Sequence, residues 1–219
     1  MLPEDQPLPA TGLIAILRGL TPTEAPAIGE TLYEAGFRRL EVPLNSPDPF
    51  DSISQLTQLL PADALVGGGT VVRTADVDRV HQAGGRLVVA PNTDPEVIAR
   101  ALELGMEPNP GVATATEVFA ALHAGARALK IFPAPSVGIS GMKAWAATVP
   151  TGTQFLPVGG IDAETLPAWL QAGATGAGIG TTLYTPGRRA TEVRATADAL
   201  LRIWNQHCED QHRSREERA

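Results

Sequence analysis

The feature that most constrains this chain is a repeated unit in which a helix-like stretch ends in Ala-Gly and a short apolar run follows. The pair recurs at Ala35-Gly36, Ala83-Gly84, Ala124-Gly125 and Ala172-Gly173. Glycine just past a helix end is the usual left-handed cap, and the apolar run behind it is typical of a strand. A unit that returns every 20–25 residues or so indicates a βα repeat.

Eight strands are predicted, each a mostly apolar run of the kind found in parallel sheets covered by helices. They are 13–17, 39–44, 64–69, 86–90, a short piece near Met106–Pro108, 126–132, 154–158 and 175–180. Eight units without an obvious edge strand predict an α/β fold, a single-domain (β/α)8 TIM barrel over residues 12–206. A doubly wound open sheet is the alternative. Residues 1–11 are interpreted as an N-terminal extension.

Helix boundaries follow from capping patterns. Thr21 and Glu24 form a capping box before a helix over 23–36, which Pro26 is expected to shorten. Thr114 and Glu117 repeat the box, so Glu117 is interpreted as a cap and not as a catalytic acid. The final helix is predicted over 189–204, and the charged tail 207–219 is expected to be disordered.

Charge and composition exclude several classes of function. A net charge of -7 and a pI of about 5.1 argue against a nucleic-acid surface. No apolar run reaches the roughly 18 residues of a membrane span, and no signal peptide is recognised. The single cysteine, Cys208, fits a reducing compartment, so a cytoplasmic protein without membrane association is expected. The four histidines show no ligand spacing, so no metal site is predicted.

Lysine is rare in this chain. Of 17 basic residues only Lys130 and Lys143 are lysines. Strand alternation places Lys130 on the inner face of its strand, with Leu129 and Ile131 facing the helices. Burial favours the neutral amine, which is the nucleophile that forms an imine with a ketone. The alternative is a lysine that reaches the rim or binds phosphate as a point charge.

Glu41 lies on the inner face of the second strand by the same alternation. Burial raises the pKa of a carboxyl, so Glu41 is a candidate proton shuttle beside Lys130. A structural ion pair with Lys130 or Arg18 is the alternative.

Binding residues are expected where strands end, since the carboxyl-end loops of a barrel carry its active site. Two glycine-rich turns, after the seventh and eighth strands, are typical of a phosphate cradle, although tight barrel turns also use glycine. The predicted binding set is Arg18, Asn45, Thr70, Asn92, Phe132, Gly159, Gly160, Gly180 and Thr181.

The order and spacing of several short motifs resemble the keto-deoxy-phospho-sugar-acid aldolases over nearly all of residues 12–206. The motifs are IAILRG at 14–19, EVPLNSP at 41–47, GGGTV at 67–71, APN at 90–92, PGVATATE at 110–117, LKIFP at 129–133, VGGI at 158–161 and GIGTTLY at 178–184.

The resemblance implies a role for each matching residue. Lys130 matches the imine-forming lysine, Glu41 the general acid/base, and Arg18 and Thr70 substrate-binding positions. Gly159, Gly160, Gly180 and Thr181 match the phosphate site. It further implies a phosphorylated keto-deoxy sugar acid as substrate, pyruvate and glyceraldehyde 3-phosphate as products, no cofactor, and a homotrimer.

Two positions favour the phosphogalactonate branch of this family. Asn45 and Val158 stand where the phosphogluconate-type members typically carry arginine and threonine. Two features depart from the pattern of that branch: Thr181 stands where serine is more usual, and the loop 133–141 contains an extra proline. The alternatives are an aldolase that acts on a phosphogluconate or hydroxy-ketoglutarate substrate and a non-catalytic sugar-phosphate-binding barrel.

Overall fold

The computed structural model describes residues 11–216, in which parallel strands alternate with helices. The strands are β1 Gly12–Ile16, β2 Arg39–Pro43, β3 Leu65–Gly69, β4 Leu87–Val89, β5 Glu107–Asn109, β6 Gly111–Val112, β7 Ala128–Ile131, β8 Gln154–Pro157 and β9 Gly176–Ile179. The helices are α1 Ala25–Ala35, α2 Pro49–Leu59, α3 Thr74–Gln82, α4 Pro95–Glu103, α5 Ala115–His123, α6 Ala134–Ala146, α7 Leu166–Gln171 and α8 Ala190–Glu216.

The strands form two parallel sheets, not the single ring that the sequence predicts. A curled six-stranded sheet has the order β5-β4-β3-β2-β1-β9, and a three-stranded sheet has the order β6-β7-β8. A single bridge, between Val158 and Gly178, connects the two. The fifth strand predicted near Met106–Pro108 corresponds to β5. Pro110, which has no N–H for a ladder, separates it from β6, a strand that was not predicted.

The sheet order separates this fold from a doubly wound one. The first strand lies between the second strand and the last, β9, as in a curled sheet whose ends approach each other. A doubly wound sheet instead reverses its strand order at a switch point near the middle. The α/β class and its alternating units are therefore confirmed at this level.

Apolar side chains pack in two places. The larger cluster lies between strands and helices and contains Leu129 and Ile131. The smaller cluster lies on the inner faces of the strands and is made of Ile14, Leu87, Val89, Ala128 and Leu156. The alternation predicted for β7 is therefore confirmed, since its odd and even residues fall into different clusters.

Helix ends follow the predicted local chemistry. The five glycines after helices have positive φ, from 68° at Gly105 to 123° at Gly36, which only glycine adopts without strain. Thr21 Oγ1 donates to Glu24 at 2.7 Å, and Thr114 Oγ1 donates to Glu117 at 2.8 Å. Glu117 is thus a cap, as predicted.

The C-terminal prediction differs from the structure. The last helix, α8, continues past 204 to Glu216, so residues 207–216 are helical and not a disordered tail. Polar pairs one turn apart support this end: Gln206 donates to Asp210 at 3.0 Å and Arg213 pairs with Asp210 at 2.7 Å. The N-terminal extension predicted over 1–11 lies, apart from Thr11, outside the described residues.

Over residues 11–216, no helix combines the length and apolar character that a membrane crossing requires.

Candidate active site

Lys130 is buried on the inner face of β7. Its side chain is 6% exposed, and its backbone N–H donates to the Pro110 carbonyl at 2.9 Å. The ammonium nitrogen lies 4.9 Å from the centre of the Phe132 ring, within reach of a cation–π contact. Burial lowers the pKa of Lys130, Glu41 opposes that shift, and the positive charge of Arg18 adds to it. The site therefore favours the neutral, nucleophilic amine.

Glu41 faces the same interior from β2 and is 1% exposed. Its Oε2 has no hydrogen-bond partner among the described residues, and no ion pair joins Glu41 to Lys130 or Arg18 there. Burial raises the pKa of Glu41 from its ordinary 4.5 to about 7, with the charges of Lys130 and Arg18 opposing the rise. The structural ion pair considered as the alternative is thus not formed.

The amine and the carboxyl line one narrow interior space. Its other walls are Ile14, Ile16, Val89, Asn109, Leu156, Val158 and Gly178. These walls are mostly apolar, so they exclude water and strengthen the electrostatic coupling between the two groups. Burial thus lowers the pKa of the amine and raises the pKa of the carboxyl to about 7. Glu41 can therefore exchange a proton with a bound molecule near neutral pH.

Gly69 makes room for the Glu41 carboxylate. A Cβ atom on Gly69 would overlap both carboxylate oxygens of Glu41. The sequence contains this glycine within GGGTV, but only the three-dimensional structure gives the reason for it.

Asn109 was also not predicted: its side chain is fully buried, and its amide nitrogen lies 3.3 Å from Glu107.

Thr70 directly follows β3 with a φ of 58°, a left-handed conformation that threonine rarely adopts. Such conformations cost about 1–3 kcal/mol and are concentrated at functional sites. The half-buried Thr70 was predicted from its position at a strand end, and it directly follows Gly69, the last residue of β3.

Arg18 and Asn45 meet at the rim. Arg18 Nη1 donates to Asn45 Oδ1, and both residues are exposed. Ser46, which was not predicted, is buried and accepts a hydrogen bond from the Gly19 amide at 2.9 Å. The loops after β1 and β2 are thereby joined, so the Arg18 charge is held near the interior pair.

The two glycine-rich turns lie side by side, since β8 and β9 end next to each other at the Val158–Gly178 bridge. Gly159 and Gly160 have φ values of 107° and 69°. The amides of Gly159, Gly160, Gly180, Thr181 and Thr182 donate no loop or turn hydrogen bond to another backbone group within the described chain. These amides are therefore free to bind an anion.

The two remaining predicted binding residues differ in their position relative to the interior pair. Phe132 is half-buried beside Lys130, whereas Asn92 is exposed in the loop after β4 and does not line the interior space. Within residues 11–216, no three side chains of His, Cys, Asp or Glu are grouped as a metal site would need.

Comparison with known proteins gives a consistent result. A profile of the KDPG and KHG aldolase family matches residues 5–195. The chain is 46% identical to the probable 2-dehydro-3-deoxy-6-phosphogalactonate aldolase of Rhizobium meliloti, over 88% of this chain and 91% of that protein. It is 43% identical to the 2-dehydro-3-deoxy-6-phosphogalactonate aldolase of Escherichia coli, over 89% of this chain and 95% of that protein.

Solved structures agree. A native KDPGal structure has a TM-score of 0.88 and 42% identity, covering 94% of this chain and 98% of its own. A designed cube-shaped cage of fused symmetric oligomeric domains has a TM-score of 0.90 and 40% identity, covering 94% and 77%. A KDPG aldolase from Legionella pneumophila, with pyruvate captured as a covalent carbinolamine, has a TM-score of 0.75 and 25% identity, covering 89% and 93%.

Gly69→Ala is expected to push the Glu41 carboxylate out of its buried position. We expect a loss of about 1–3 kcal/mol in the free energy of unfolding and a pKa of Glu41 that returns toward 4.5. Urea denaturation measures the first effect, and NMR titration of the glutamate carboxyl carbons measures the second. Gly180→Ala is the matched control for these two measurements, since nothing lies within 4 Å of its added methyl group and its φ, like that of Gly69, lies outside the left-handed range. An unchanged Glu41 titration in Gly69→Ala would contradict the packing argument.

The raised pKa of Glu41 predicts a specific pH dependence of stability. The folded protein binds this proton more tightly than the unfolded chain, so protonation stabilises the fold. That contribution is complete below pH 4.5 and is lost as the pH rises through the folded pKa of about 7. We expect Glu41 to become destabilising relative to Glu41→Gln between pH 5 and pH 8, by up to about 1.4 kcal/mol per pH unit.

Urea denaturation over this pH range checks that expectation, with Lys130→Met in both proteins so that the amine does not contribute. Removing the ammonium raises the pKa of Glu41 further, which leaves the sign unchanged. A stability difference that stays constant from pH 5 to pH 8 would show that Glu41 titrates normally.

Proposed function

The chain belongs to the KDPG and KHG aldolase family, and we propose that it cleaves 2-dehydro-3-deoxy-6-phospho-D-galactonate to pyruvate and D-glyceraldehyde 3-phosphate. The reaction is that of a Schiff-base aldolase, a lyase. The observation that carries this proposal is the buried pair of Lys130 and Glu41, an amine and a carboxyl whose pKa values are shifted toward each other.

Lys130 supplies the nucleophile. Its neutral amine attacks the C2 ketone of the substrate, and loss of water from the carbinolamine gives a protonated imine. This cation accepts the electron pair of the C3–C4 bond, so the bond breaks without forming a free carbanion. The products of this step are glyceraldehyde 3-phosphate and an enamine bound to Lys130.

Glu41 moves the protons. Its carboxylate accepts the C4 hydroxyl proton as the C3–C4 bond breaks, directly or through a water molecule. The same proton is then available for C3 of the enamine, and hydrolysis of the resulting imine releases pyruvate and restores the amine. A carboxyl with a pKa of about 7 suits both directions of transfer near neutral pH.

The rim residues bind the two ends of the substrate. Thr70 and Asn45 bind the carboxylate end, and Arg18 supplies a positive charge. Free amides at Gly159, Gly160, Gly180 and Thr181 bind the phosphate, with Phe132 and Asn92 completing the mouth. The support for this assignment is that the glycine turns follow the carboxyl ends of β8 and β9, where barrel enzymes bind substrates. The space lined by Lys130 and Glu41 extends to Val158 and Gly178, next to those turns.

Two further properties are proposed. The two sheets form one (β/α)8 barrel, joined at the Val158–Gly178 bridge and by the continuous chain through Pro110.

The protein is a cytoplasmic homotrimer. The similar cage built from symmetric oligomeric domains supports the proposal of an oligomer, and the free, exposed thiol of Cys208 supports the proposal of a reducing compartment. Sedimentation equilibrium at the mass of three 22.9 kDa chains checks the trimer.

Incubation with pyruvate and borohydride, in the presence of a chelator, is expected to attach one reduced pyruvate to Lys130. Peptide mass spectrometry locates the adduct. Lys130→Ala should form no adduct and lose turnover while keeping its circular dichroism spectrum. Lys143→Ala is the matched control, since Lys143 is the only other lysine and is exposed on α6. An adduct at Lys143, or turnover by Lys130→Ala, would refute the mechanism.

The C4 epimers separate the two phosphorylated substrates. We expect a higher kcat/KM for the 6-phosphogalactonate derivative than for the 6-phosphogluconate derivative, measured by pyruvate release. A preference for the gluconate epimer, or for unphosphorylated hydroxy-ketoglutarate, would assign the chain to the related activity. Binding of phosphate esters without any imine would support a non-catalytic protein.

A further inference from the structure

The segment after β9, which follows Gly180, forms a turn whose two ends are chemically different. The amides of Leu183 and Tyr184 both donate to the Gly180 carbonyl, at 2.9 and 3.0 Å. The amides of Thr181 and Thr182 remain free at one end of this turn. The carbonyls of Thr182 and Leu183 lie at the other end, because consecutive peptide units in a helical turn point the same way.

Arg188 holds the carbonyl end of the turn. Its Nη1 donates to the Thr182 carbonyl and, at 3.0 Å, to the Leu183 carbonyl. Its Nη2 donates to Thr196 Oγ1 at 3.1 Å, and Thr196 is part of α8. The half-buried guanidinium therefore connects the turn to a long helix that packs against α1.

We propose that Arg188 is a positioning residue for the substrate phosphate, acting through the turn and not by contact. This inference rests on the proposed function, which assigns the phosphate to the amides of Gly180 and Thr181. By holding two carbonyls, the guanidinium orients the whole turn and keeps its free amides directed at the ligand. The hydrogen bonds that the Arg188 guanidinium donates go to the carbonyls of the turn and to α8, on the side away from those amides.

A second contact keeps the loop folded without Arg188. Glu24 Oε1 accepts a hydrogen bond from the Gly187 amide at 3.0 Å, while its Oε2 closes the capping box with Thr21. Tyr184, at the end of the turn, is 1% exposed and packs in the main core. Loss of Arg188 is therefore expected to loosen the orientation of the turn while the loop stays attached to α1.

The neighbouring arginine provides a matched control. Arg189 is adjacent in sequence but its side chain is 77% exposed, and it pairs with Glu192 at 2.7 Å on the surface of α8. Arg189→Gln removes the same charge one residue away without touching the turn. Arg188→Lys keeps the charge but cannot reach two carbonyls and Thr196 together.

The test compares Arg188→Gln, Arg188→Lys and Arg189→Gln in the full-length protein. For Arg188→Gln we expect the KM for 2-dehydro-3-deoxy-6-phosphogalactonate to rise about tenfold, with kcat within about twofold. The rates of pyruvate trapping and of aldol addition to unphosphorylated glyceraldehyde should not change, because neither uses the phosphate site. Arg188→Lys should resemble Arg188→Gln, and Arg189→Gln the unsubstituted protein.

Binding of inorganic phosphate, followed by isothermal titration calorimetry, measures the same effect without turnover. We expect about tenfold weaker binding in Arg188→Gln. Equal phosphate affinity in Arg188→Gln, or full affinity in Arg188→Lys, would overturn the positioning role whatever the outcome for the aldolase proposal. A loss of activity in aldol addition to unphosphorylated glyceraldehyde, equal to the loss with the phosphorylated substrate, would overturn it too. Failure of the proposed function is recognised separately, by the absence of a pyruvate adduct in the unsubstituted protein.

Discussion

Burial of an amine and a carboxyl in one apolar space is the constraint on which the site depends. Each group alone would be costly to ionise away from water. In the shared space, burial moves their pKa values toward each other, downward for Lys130 and up to about 7 for Glu41. The arrangement therefore favours a neutral amine beside an acid that can exchange its proton near neutral pH.

Parallel strands make the arrangement possible. Lys130 on β7 and Glu41 on β2 belong to different sheets and lie 89 positions apart in sequence, yet both point inward because of strand alternation. Close packing then determines which neighbours are allowed. Gly69 is needed because any side chain there would occupy the space of the Glu41 carboxylate. Thr70, directly after it, adopts a left-handed conformation where β3 ends.

Most of the local structure could be predicted because its causes lie within a few residues. The Thr21–Glu24 and Thr114–Glu117 caps, the glycines after helices and the alternation along β7 all depend on neighbours in sequence. The errors arose where local rules compete. Pro110 separates β5 from β6, a strand that was not predicted, and surface pairs around Asp210 extend α8 where composition alone indicated disorder.

The sequence by itself determined the alternating α/β class and the inward position of Lys130 and Glu41. Periodicity and capping are local properties, which explains this success. Tertiary structure decided the remaining features: the raised pKa of Glu41, the requirement for Gly69, the strained Thr70 and the Arg188 contacts with the turn after β9. Each of these depends on distances between segments far apart in the chain, and a linear pattern of residues contains no such distances.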